Sequence, residues 1–176
     1  MLPGRFLLMF KSLIKKVGTL LVMPVLSLNL ASAEYYQGQL YYHNPVLVIS
    51  KINLNQEFYP NDPKQNHVDK NIAMLEGSKL PTVKASNLIL AAHSGNSNIA
   101  YFKELDKLKI NDSIYVYYQD KSYKYVIADI YEVEKTGYVK IKRKQSKTTL
   151  TLITCKKGTN KQIVLISYLI LTAKTS

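Results

Sequence analysis

The chain has 176 residues, of which 47% are apolar, and it carries 24 basic against 12 acidic residues for a formal net charge of +12. That length supports one domain with an N-terminal appendage, and the apolar share is enough for a sizeable core. The charge is nearly all lysine, with only Arg5 and Arg143 as arginines, which argues against base readout in nucleic acid, where bidentate guanidinium contacts dominate.

The lysines alternate with apolar residues, as in Tyr123-Lys124-Tyr125 and Lys140-Ile141-Lys142. That is the pattern of a solvated sheet face rather than of a stripe tracking phosphates. No nucleic-acid partner is expected. The charge suits solubility and attraction to an anionic envelope surface.

Arg5, Lys11, Lys15 and Lys16 all precede the first acid, Glu34. An apolar run, Val17 to Leu30, follows them, and Ala31-Ser32-Ala33 then fits signal-peptidase cleavage. The run is short of the about 20 apolar residues that a full span needs. A cleaved signal peptide and a retained membrane anchor both remain open for residues 1–33. Either way the basic flank is expected in the cytoplasm and the remainder outside, facing the extracellular side of the cell membrane. Residues 34–45 read as a linker and 46–176 as the folded domain.

Within that domain the pattern is mainly β. Val46 to Ile49 and Ile52 to Leu54 read as one interrupted strand or two short ones. Asn61-Asp62-Pro63 signals a turn. Val68, Ile72 and Leu75 fall at i, i+4 and i+7, which predicts a short helix from Asn66 to Glu76 ended by Gly77. Asn87 to Ala92 is an apolar strand that delivers His93 into the polar loop Ser94 to Asn98. Ile99, Phe102 and Leu105 suggest a second short helix. Ile114, Val116 and Tyr118 alternate, the chain turns at Gln119 to Lys121, and Tyr123 to Ile130 alternates again. Thr149 to Thr154 and Ile163 to Leu171 complete the set. Short strands with turns every ten or so residues predict a barrel or a sandwich.

Cys155 is the sole cysteine, and it closes the predicted strand Thr151-Leu152-Ile153-Thr154. A lone cysteine is more often a small core hydrophobe than a nucleophile. Export changes that balance, because a purposeless free thiol outside the cell is an oxidation liability. A free thiol ionises near pH ~8.5 and needs an imidazole or a positive charge beside it to act as a nucleophile at neutral pH. His93, also at a strand end, is the candidate partner, and only the fold can join residues so far apart in sequence. His43 and His67 lie in polar, turn-rich stretches and read as solvated. No Cys pair and no His-x-x-x-His spacing suggests a metal site.

Two segments carry a resemblance. Leu90-Ala91-Ala92-His93-Ser94-Gly95-Asn96 is similar to the histidine strand and loop of the sortases, the cysteine transpeptidases of the Gram-positive envelope, and Thr151-Leu152-Ile153-Thr154-Cys155 matches their TLxTC signature. Tyr101-Phe102-Lys103-Glu104-Leu105, Asn111 to Val116 and Tyr123 to Val126 fit in between. The likeness runs from roughly Val46 to the C-terminus.

The resemblance implies an eight-stranded closed β-barrel with two short helices behind an N-terminal hydrophobic segment, and residues 46–176 as the catalytic domain. It implies a thiol transpeptidase that cleaves an LPxTG-like sorting signal between Thr and Gly. Cys155 would form the acyl-thioester, and His93 would be the proton donor and acceptor. Secreted proteins bearing a C-terminal sorting signal would be the substrates, and an amine of a peptidoglycan precursor or a pilin the acceptor. No cofactor is implied; some relatives bind calcium, but no acidic cluster here demands it.

The family's third active-site residue is an arginine on the strand after the cysteine, and here the pattern breaks. Aligning the apolar strand puts Gln162 at that place as a candidate oxyanion donor, with Lys161 beside it facing the other way by strand alternation. Arg143 precedes the signature and is no substitute. Two rivals stand beside this reading. An exported L,D-transpeptidase-like enzyme would show Ser-x-Gly-Cys followed by arginine, where this chain has Thr-Cys-Lys. A catalytically impaired sortase-like barrel would serve as an envelope binding module.

Overall fold

A computed structural model describes residues 33–36 and 38–175. The signal or anchor expected over residues 1–33 lies outside the described residues, except for Ala33. Nine strands follow in chain order: β1 (Ala33–Tyr36), β2 (Gln39–Ile49), β3 (Leu54–Glu57), β4 (Ala73–Met74), β5 (Asn87–Ala91), β6 (Ser113–Gln119), β7 (Lys121–Glu134), β8 (Thr149–Cys155) and β9 (Lys161–Lys174). They form one strongly curled sheet in the order β1-β2-β6-β7-β9-β8-β5-β4, with β3 also paired to β2. Residues 34–45, expected as a linker, carry β1 and the first part of β2. No helix among the described residues is long and apolar enough to cross a membrane.

The mainly β expectation holds, in the form of a half-barrel whose seam is not laddered. Among the described residues no ladder joins β4 back to β3. Side chains cover the gap instead: Phe58 and Ile72 are buried in the main core, and the Gln56 amide donates to Asn71 Oδ1 at 3.4 Å.

The two short helices are corrected. Residues 66–76 hold turns and then β4, with Leu75 exposed and Ile72 buried, so the supposed apolar stripe does not share one face. Ala73 and Met74 pair with the edge of β5, and the Leu75 N–H continues the contact to Ile89 O at 2.9 Å. An isolated helix of that length is marginal in water, and an open strand edge offers the backbone better partners. Around Ile99 to Leu105 the chain makes turns and a single 3-10 turn at Leu105–Lys107.

The sheet buries apolar residues on both faces where the site lies. In β8, Leu150 and Leu152 enter the main core with Leu88, Leu90, Ile163 and Leu165. Ile153 points the other way and clusters with Val164 and Ile166. Two-sided burial accounts for the unbroken apolar run that the sequence shows here, and each buried Leu or Ile contributes about 1.5–3 kcal/mol. The outer cluster is roofed by the segment between β7 and β8, whose Val139 and Ile141 pack against it. Two tyrosine hydroxyls pin that roof. Tyr131 accepts the Lys142 N–H at 3.0 Å and donates to Lys140 O at 3.0 Å, while Tyr168 accepts the Lys144 N–H at 2.9 Å.

Candidate active site

β5 and β8 are parallel neighbours, in register from Asn87↔Thr149 to Ala91↔Ile153. Beyond β5 the strands stay joined. The Ala92 N–H donates to Ile153 O at 3.4 Å, and the Thr154 hydroxyl donates to Ala92 O at 2.8 Å. Carrying the register on places His93 level with Cys155. On the other flank of β8, Cys155 pairs directly with Gln162 of β9.

Residues level on adjacent strands project from one face of a sheet. His93, Cys155 and Gln162 therefore end three adjacent strands as a row. Strand alternation gives that face as the one carrying Ile153 and Val164, beneath the β7–β8 roof. A deep strand arrangement thus brings together residues 62 positions apart, the offset that the ladder itself sets.

The buried threonines explain why β8 carries them. Thr154 satisfies the Ala92 carbonyl next to His93, and Thr151 Oγ1 donates to Asn87 Oδ1 at 2.9 Å. Both stitch the cysteine strand to the histidine strand. The chain turns after Cys155 through Gly158, which takes φ +71° as a turn glycine readily does, and the Lys156 N–H bonds Lys161 O at 2.8 Å.

His93 is 41% exposed at the side chain, and Cys155 is a partly exposed free thiol. Both are open to a substrate. Cys155 also borders a small cavity with Ser94, Phe102, Lys103, Asp106 and Lys157. Gln162 is partly buried. Lys161 faces away, toward Glu132, where its Nζ lies 3.7 Å from Oε2 while Lys156 serves the other carboxylate oxygen, Oε1. Those lysines hold the Glu132 carboxyl below its usual range, chiefly through the Lys156 hydrogen bond. Arg143 donates to Ala85 O and Lys147 O at the other end of β8.

One residue of this region carries no sequence signal. Asp69 Oδ1 lies 2.8 Å from His93 Nε2, yet it sits in the stretch that reads as a helix, and a His–Asp pair 24 residues apart has no signature spacing. His67 lies beside Asp69, while His43 pairs with Glu34 far along β2. No group of three or more potential metal ligands occurs among the described residues.

A partly exposed histidine is thus level with a free cysteine at the ends of parallel strands. The sortase domain model matches residues 47–170, and the chain belongs to the sortase family, whose members are cysteine transpeptidases. Similar solved structures share the fold. Sortase A from Corynebacterium diphtheriae is 23% identical with a TM-score of 0.63, over 74% of this chain and 62% of that one. Sortase C1 from Streptococcus agalactiae is 26% identical with a TM-score of 0.64, over 73% and 68%. Sortase C from Streptococcus pneumoniae, a structure addressing pilin substrate specificity, is 21% identical with a TM-score of 0.65, over 76% and 70%. The chain thus spans less than two thirds of the Corynebacterium protein. A search of curated proteins returned no match.

Proposed function

We propose that this sortase-family chain is an active transpeptidase acting on an LPxTG-like sorting signal at the cell envelope. The Cys155 thiolate attacks the carbonyl carbon of the Thr–Gly bond. The tetrahedral oxyanion collapses to a thioester as the glycyl amine leaves with a proton from the His93 imidazolium. An acceptor amine of a peptidoglycan precursor or a pilin then attacks the thioester and gives its proton to the His93 imidazole. The new amide forms, and the thiolate is released. Gln162 would donate its side-chain amide to the oxyanion. No cofactor enters these steps.

This reading is supported above all by the single row of His93, Cys155 and Gln162 at the ends of three neighbouring strands. The basic flank and apolar run before Glu34 favour membrane attachment with the sheet domain outside. Protease treatment of intact cells should then remove the domain, and protection until the membrane is broken would reverse the orientation.

The enzymatic test uses the full-length protein with LPxTG-type peptides. Intact-mass measurement should show the acyl fragment added at Cys155 and the glycyl fragment released, and an added amine should take over the acyl group. A second reading, a binding module without turnover, draws on the uncharged Gln162 where the family places an arginine. It predicts peptide retention with no covalent adduct.

A further inference from the structure

His93 Nε2 sits 2.8 Å from Asp69 Oδ1. The carboxyl is held below the usual aspartate range chiefly by this hydrogen bond, which outweighs the opposing effect of desolvation. An ionised carboxylate only accepts hydrogen bonds, so the proton between the two atoms belongs to Nε2. The neutral imidazole then carries its lone pair on Nδ1.

An exposed pair of this kind is ordinarily worth little, because two mobile side chains pay entropy to meet. Here the aspartate's backbone is not free to wander. Asn66 clasps Met74 in both directions, accepting its N–H at 2.7 Å and donating to its carbonyl at 3.0 Å. Asn71, buried, donates to Gln65 Oε1 at 3.0 Å and accepts from Gln56. The Lys70 and Asn71 N–H groups both bond His67 O, at 2.9 and 2.8 Å. Four residues after Asp69 the chain becomes β4 and pairs Ala73 with Ala91 of β5, the strand that ends two residues before His93. The carboxylate and the imidazole are thus tied to the same strand from two sides. His67 does not compete for the carboxylate through Nδ1. That nitrogen lies 3.4 Å from Asp69 Oδ2, yet it accepts the Asp69 N–H at 3.2 Å and so has no proton to offer.

We propose that Asp69 is the positioning residue for His93, holding Nε2–H and so making Nδ1 the nitrogen that gives and takes the proton in transpeptidation. In that role Asp69 acts only through the imidazole. The inference rests on the transpeptidase reading for its kinetic arm, while its spectroscopic arm stands without activity.

The test compares wild type, Asp69→Ala, Asp69→Asn and, as a control, His67→Ala, all as full-length protein. Ring 1H–15N spectra should show a downfield, slowly exchanging Nε2 proton on His93 in wild type. It should persist in Asp69→Asn, whose amide oxygen still accepts, and vanish in Asp69→Ala. Steady-state kinetics should show kcat about 10-fold lower in Asp69→Ala with KM for the peptide unchanged, the size of loss typical when a histidine's outer partner is removed. Asp69→Asn should recover most of that loss, and His67→Ala should match wild type. An unchanged kcat in Asp69→Ala overturns the proposal, whatever the spectra show. A fall in kcat with the Nε2 proton intact overturns it too. Should wild type form no thioester, the transpeptidase reading fails, and loss of the Nε2 proton in Asp69→Ala with retention in Asp69→Asn still decides the contact.

Discussion

At the scale of single residues, the question is what replaces the positive charge that the family places opposite its cysteine. The β8–β9 register sets Gln162 directly across from Cys155, and Lys161 turns to Glu132. A neutral amide donor gives a weaker hydrogen bond to an oxyanion than a charged one, by about 1–2 kcal/mol. If Gln162 serves there, the contact strengthens in the transition state, so Gln162→Ala should lower kcat more than it raises KM. The expected loss is about 10- to 100-fold in kcat/KM, on the order of 1.4–2.7 kcal/mol. Gln162→Arg should keep or raise activity, and Lys161→Ala should change little. Peptide-cleavage kinetics on the three variants check this, and an inactive Lys161→Ala beside an unaffected Gln162→Ala would assign the role to the lysine. Cys155→Ala and His93→Ala should each abolish thioester formation in intact-mass trapping while circular dichroism stays that of the wild type.

At the scale of elements, the site depends on β5 and β8 staying in step. Thr154 is buried, and its hydroxyl makes the shorter of the two bonds that join the strands past the end of β5 toward His93. Thr154→Val keeps the shape but leaves the Ala92 carbonyl short of a partner, which costs about 1–3 kcal/mol of stability. Thermal or denaturant unfolding should show that loss. Activity at a temperature where the variant is folded should also fall, because His93 loses its fixed height relative to Cys155. Unchanged stability would mean that the carbonyl finds another donor.

The strands that form this frame were legible because β8 and β5 are buried on both faces and read as unbroken apolar runs ending in chemistry-bearing residues. His93 and Cys155 stood out as candidates at those ends, and Gln162 came from the family resemblance, which aligned the apolar strand after the cysteine. Residues 66–76 were not legible. A periodic triplet of apolar residues there outlines a helix, while the decisive partners, the β5 edge and the side chains of Gln56 and Gln65, are brought near only by the fold. Asp69 was lost with that segment, since nothing local marks a carboxylate that will meet a histidine from another strand. The half-barrel seam has the same origin. Its closure rests on Phe58, Ile72 and an amide contact rather than on a ladder that periodicity would announce.

For the whole molecule, the paired carboxylates add to the response to acid of a chain that is already strongly basic. Asp69, Glu104, Asp112 and Glu132 are all held below their ordinary range. The main cause in each is a hydrogen bond from a cationic or imidazole partner, respectively His93, Lys107, Lys51 and Lys156. A carboxyl depressed in the folded state binds protons more readily when unfolded, so stability rises with pH where the two states differ. The contribution of these groups is present above the usual carboxylate range of about 4 and is lost as the pH falls through it toward their folded values. Melting temperature should therefore drop steeply below about pH 4, with added salt weakening the pairs and flattening the slope. Growing positive charge pushes the same way, so one pair must be isolated. Asp112 is the choice, because it accepts from Lys51 Nζ at 2.7 and 2.9 Å and from the Lys109 N–H at 2.7 Å, joining the start of β6 to the turn after β2. Asp112→Asn should lower the melting temperature at neutral pH and make its fall on acidification shallower than in wild type. Parallel curves for the two proteins would show that Asp112 binds its proton equally in both states and contributes nothing to the acid response.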